Sequence, residues 1–151
     1  MHPLELNSLT AISPLDGRYA SKTAALRDFF SEYALIKYRV IIEVEWLKAL
    51  ANAADIIEIP PFTSTAISVL DSIVDGFSLA DAERIKAIET TTNHDVKAVE
   101  YFLKEKFETL GLSLFKEFIH FGLTSQDINN TAIPLSTKEA FEKPPRGCRK
   151  E

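Results

Sequence analysis

Apolar residues along this chain recur at steps of three and four, the period of helices packed on one face. Leu26, Phe30, Tyr33, Val40, Val44 and Leu47 form such a stripe, and Phe29, Ile36, Ile41, Trp46 and Leu50 widen it. The pattern predicts one long helix from about Ser21–Ala24 to about Ala53, buried on more than one side. Ile59-Pro60-Pro61 breaks the chain, and Thr63 is placed to cap a short helix through Val74 that carries Ile67, Leu70 and Ile73. Gly76 suits the end of that helix. Ser78, with Asp81 three residues on, reads as a capping box opening a helix to about Glu89.

Thr90-Thr91-Thr92 interrupts the pattern, because β-branched residues are poor helix formers. Asn93 is then expected to cap a helix from Asp95 to about Thr109, with Val96, Val99, Phe102, Leu103 and Phe107 on its apolar face. Gly111 closes it, and a short helix follows over Leu114–Phe121. Thr124 or Ser125 caps the last helix, where Asp127 suits the positive end of the helix dipole and Pro134 predicts a kink. No stretch reads as a strand or a repeat. The expected class is all-α.

Residues outside this pattern carry the candidate chemistry. Ser13-Pro14-Leu15-Asp16-Gly17 reads as a turn, in which glycine tolerates a positive φ, and Arg18-Tyr19 are held just beyond it. A guanidinium fixed by a turn suits a phosphate or carboxylate, although a lone arginine is often only solvated. Asn93-His94-Asp95 and Thr124-Ser125-Gln126-Asp127 are polar helix starts. The first N–H groups of a helix lack internal partners and favour anions, and an imidazole there can hold an anion or move a proton. Each stretch taken alone also reads as a plain N-cap. His120, in Phe118-Ile119-His120-Phe121, reads as a satisfied, half-buried histidine.

Composition narrows the setting. The 151 residues are 46% hydrophobic and 26% charged, with a net charge of -5, which suits one globular unit and argues against a nucleic-acid binder. The single cysteine, Cys148, cannot form an internal disulfide, so a reducing compartment is expected. Met1–Glu5 lacks the pattern of a secretory signal, and no apolar run approaches the ~20 residues needed to span a bilayer. Cytoplasm, with no membrane partner, is the expected location. No CxxC, His-rich run or metal-ligand spacing is present.

Three stretches together carry a resemblance. Ser13–Tyr19 resembles the SPxDGRY opening of bacterial-type adenylosuccinate lyases, in the fumarase/aspartase superfamily. Thr91–Tyr101 is similar to that family's TNHDVKAVEY stretch, and Phe118–Asn130 to its FIHFxxTSxDINN stretch, in the same order and spacing. The resemblance implies β-elimination of fumarate from adenylosuccinate, giving AMP, and from the succinocarboxamide ribonucleotide of purine synthesis (SAICAR, giving AICAR). It implies homotetramers built on long helical bundles, an anionic purine nucleotide as substrate, and neither metal nor organic cofactor. Carried over by position, it places Arg18 and Tyr19 against substrate, Asn93, His94 and Asp95 along the nucleotide site, and Thr124 and Ser125 at the succinyl part. His94 would support catalysis.

Family members are much longer. Neither the THGQPATP-like segment, with its general-acid histidine, nor the SSxMPxKxNP-like loop, with its serine base, has a counterpart here. The expected organisation is an N-terminal helical domain over 1–113, the start of the central bundle over 114–143, and an aberrant, disordered tail over 144–151. The reading is an inactive N-terminal fragment. The competing reading is a stand-alone helical nucleotide-binding or interaction module without catalysis.

Overall fold

The structure, a computed structural model, describes residues 7–142. The expected tail beyond Lys143, with Cys148, lies outside the described residues. Among them there are helices and 3-10 turns and no strand, as the apolar period predicts. The elements are α1 (Ala20–Thr23), a 3-10 turn (Ala24–Leu26), α2 (Arg27–Phe30), α3 (Glu32–Ala51), α4 (Ser64–Asp75), α5 (Leu79–Thr92), α6 (Asp95–Thr109), a second 3-10 turn (Ser113–Phe118) and α7 (Ser125–Glu142). No helix among the described residues is long and apolar enough to cross a membrane.

The expected first helix is broken. Ser31 is extended (φ -78°, ψ 166°), and α3 starts after it. Its hydroxyl accepts from the Ala34 N–H at 3.1 Å and donates to the Arg27 carbonyl at 2.6 Å. One serine thus serves the end of α2 and the start of α3, which an apolar period cannot reveal. Phe30 leaves the stripe and is exposed.

α3 is the central element and buries more than one side. Ile36, Val40, Val44 and Leu47 pack with Leu70 and Ile73 of α4, Ile85 and Ile88 of α5, and Val99, Phe102, Leu103 and Phe107 of α6. Ala34 and Tyr38 cluster instead with Ala132 of α7. α3 therefore lies between α7 and the α4–α6 layer, and fixes where the polar ends of α6 and α7 stand.

The Ser78–Asp81 capping box is present. The Ser78 hydroxyl accepts from the Asp81 N–H at 3.3 Å, and the Asp81 carboxylate accepts from the Ser78 N–H at 2.9 Å. Lys106 pairs with the same carboxylate at 2.8 Å. Ser78→Ala should cost about 1 kcal/mol, read by urea unfolding; an unchanged midpoint would deny the cap a role in stability.

Two expectations at the α5–α6 junction change. The three threonines continue α5 to Thr92, and the Thr90 hydroxyl turns back to the Ala87 carbonyl at 2.7 Å. β-branching costs helix propensity only slightly, and buried Ile85 and Ile88 anchor this helix on the core. The chain then reverses at Asn93, which sits in the left-handed region (φ 53°). Asn93 ends α5 and does not cap α6.

Candidate functional site

His94 is the N-cap of α6: its Nδ1 accepts the Lys97 N–H at 3.2 Å. A ring nitrogen that accepts carries no proton, so the neutral ring holds its proton on Nε2. Nε2 lies 3.3 Å from the Ser125 Oγ, on the first residue of α7. The two polar helix starts, 31 residues apart in sequence, therefore meet.

The start of α7 is a second capping box with a short acid. The Thr124 N–H and hydroxyl both donate to the Asp127 carboxylate at 2.7 Å, and the Asp127 N–H reaches back to the Thr124 Oγ1 at 3.4 Å. Those bonds hold the Asp127 carboxyl below the usual carboxylate range. Thr124, not Ser125, takes the cap role, which leaves the Ser125 hydroxyl for His94.

Asp95 faces inward from α6. Burial pushes its carboxyl up, but the Val96 N–H and the Arg39 guanidinium outweigh that and hold it below its ordinary value. Arg39 Nη2 donates to Asp95 Oδ2 at 2.6 Å, and Arg39 Nε donates to Asn129 Oδ1 of α7 at 2.9 Å. Arg39 is only 5% exposed.

One turn further along α3, Glu43 is 1% exposed, and its Oε1 lies 2.5 Å from His120 Nδ1. Its Oε2 is buried without a partner. Burial pushes the Glu43 carboxyl up, His120 opposes this, and nearby Glu100 adds to it. His120 is satisfied, as its sequence setting suggests, but in left-handed backbone (φ 63°), which is strained for a residue with a side chain. Trp46 completes the stripe, its indole N–H donating to the Phe121 carbonyl at 2.9 Å.

Arg39, Glu43 and Trp46 thus line one face of α3 at steps of four and three; Arg39 reaches α6 and α7, and the other two hold His120 and Phe121 of the segment before α7. Arg39, Glu43 and Asn129 were not recognisable as site residues from apolar period alone. The signal for Arg39 and Glu43 was two charges inside a helix apolar on several sides, since buried charges are rare unless paired.

Arg18 and Tyr19 stand apart from this group. The Arg18 guanidinium lies 5.4 Å over the Tyr19 ring, and both line a hollow with Ser13 and Pro14 that includes neither His94 nor Ser125. The expected turn is present, with Gly17 N–H donating to the Ser13 carbonyl at 3.0 Å. Gly17 is not among the positive-φ residues. Glycine is needed there because a Cβ would stand 2.7 Å from the Ser8 carbonyl oxygen.

The His94–Ser125 contact thus brings two polar helix starts together, with an imidazole and small hydroxyls side by side. Residues 17–144 match a protein family described as Lyase, and the chain belongs to that family. It is 59% identical to the adenylosuccinate lyase of Vibrio cholerae over 138 residues, which is 91% of this chain and 30% of that protein. It is also 59% identical to the adenylosuccinate lyase of Escherichia coli strain K12, covering 93% of this chain and 31% of that protein. The adenylosuccinate lyase of Dictyostelium discoideum is 53% identical over 146 residues, again 93% of this chain and 31% of its own length. The chain thus spans about 30% of the length of these curated relatives.

Proposed function

We propose that this chain supplies the anion-binding part of an adenylosuccinate lyase and that, alone, it binds substrate without turning it over. The observation that carries the reading is the contact between His94 and Ser125, which joins two of the three stretches that resemble the family. In the proposed reaction a base takes a proton from carbon and the C–N bond breaks as the C=C bond of fumarate forms. An acid protonates the leaving nitrogen of AMP, or of AICAR from SAICAR. Asn93, His94 and Asp95 line the nucleotide site, Thr124 and Ser125 hold the succinyl carboxylates, and Arg18 and Tyr19 close on an anionic group.

The chemistry of the two helix starts supports this assignment. The helix starts of α6 and α7, and the Nε2–H of His94, which a ligand would take over from Ser125, are donors of the kind matched to carboxylate and phosphate oxygens. A homo-oligomer, tetrameric by resemblance and placed in the cytoplasm, belongs to the same reading. Exposed Leu114, Phe121, Ile133 and Phe141 on and before α7 supply apolar surface that such an assembly would cover. The division at residue 113, between α6 and the segment leading to α7, also belongs to it. Identity of 59% across nearly the whole chain favours this reading over a stand-alone module.

Calorimetry tests it. Adenylosuccinate should bind the chain, and Arg18→Ala or His94→Ala should each weaken it roughly tenfold, as expected for one charge-assisted hydrogen bond. Absence of binding, or binding indifferent to both substitutions, would reject the assignment.

A further inference from the structure

The contact between His94 and Ser125 is half-exposed and 3.3 Å long, too weak to hold two helices in place. α6 and α7 touch each other little and each packs mainly on other elements, α7 on α3 above all. Their relative position must therefore pass through α3. One side chain of α3 reaches both. Arg39 grips Asp95, the residue after His94, and Asn129, one helical turn after Ser125. Its guanidinium is nearly sealed from water, while the Asp95 side chain it holds is 44% exposed.

We propose that Arg39 is the positioning residue of the site, a two-armed clamp that sets the distance between His94 and Ser125. It does not touch either of them. It acts by fixing the first turn of α6 and the second turn of α7 relative to each other, using a rigid fork that lysine lacks. A lysine ammonium would keep the charge and could hold Asp95, but would release Asn129. The value of this clamp to a ligand rests on the functional reading above; the clamp itself does not.

Two-bond proton–nitrogen spectra of the full chain, labelled in histidine, test it without ligand. Ser125→Ala defines the change in the His94 Nε2 resonance that follows loss of the serine contact. Arg39→Lys should move that resonance the same way, and Ser125→Ala should then add nothing, a coupling between residues that do not touch. A parent-like His94 resonance in Arg39→Lys, or a full additional change in the double variant, overturns the proposal. Should Arg39→Lys fail to fold, Asn129→Ala cuts only the α7 arm and carries the same two outcomes. With adenylosuccinate as probe, Arg39→Lys should weaken binding about tenfold or more, since small misplacements of binding groups are expensive. If the parent chain binds nothing, the functional reading falls, while Arg39 still stands or falls on the ligand-free spectra.

Discussion

Glu43→Ala should lower the unfolding free energy by about 3 kcal/mol, a deficit large against the 5–15 kcal/mol typical of whole domains. The substitution empties a site that is 1% exposed and strips His120 Nδ1 of its 2.5 Å partner. The cavity and the orphaned ring nitrogen each carry a cost. It also frees the strained His120 backbone from the contact that holds it. For a chain of this size the melting temperature should fall on the order of 10 °C. Glu43→Gln should behave differently. It keeps a hydrogen-bonding group of the same shape while removing an ionisable carboxyl that burial and nearby Glu100 push up. The glutamine Oε1 can accept from the same ring nitrogen, so the hydrogen bond is kept and stability should stay within about 1 kcal/mol of the parent. Urea unfolding of both variants decides the matter: equal losses would show that the charge, and not the shape and the bond, holds the loop.

Adenylosuccinate added to the purified 151-residue chain should release no fumarate above the uncatalysed rate. General acid–base catalysis contributes about 10²–10⁴-fold, and only from a group free to take or give a proton. At the junction of α6 and α7 no such base stands ready. His94 spends Nδ1 on the Lys97 N–H and its other nitrogen on Ser125. Asp95 is paired with Arg39 and accepts the Val96 N–H, and Asp127 is consumed by Thr124. These groups are already bonded and cannot readily take a proton from carbon. Following fumarate by absorbance checks this, and turnover that survives His94→Ala would show that a base lies elsewhere in the chain.

The helical class was legible because it rests on apolar period, and burial of Val44, Leu47, Val99 and Phe102 realises the period directly. What was not legible turns on single side chains. Ser31 splits the first helix by bonding in both directions, which no windowed pattern registers. Thr90 to Thr92 remain helical because packing of the turn before them outweighs their modest propensity cost. Asn93 was expected at a helix start and ends one instead, since asparagine serves both roles and only tertiary direction chooses between them. At the site, His94 and Ser125 were recognisable as separate helix starts, and their contact was not, because it depends on how α3 sets the two helices. Arg39 and Glu43 were hidden because an apolar period registers only apolar positions, and they form a polar stripe of their own with Trp46.

Trp46 gives the loop before α7 an optical label. It is the only tryptophan of the 151 residues, and its indole N–H is tied to the Phe121 carbonyl, between left-handed His120 and left-handed Gly122. Indole emission depends on the polarity and hydrogen bonding around the ring, so the intrinsic fluorescence of the whole chain reports on this one bend. A bend that shifts or stiffens when an anion enters would register there with no dye attached and no residue changed.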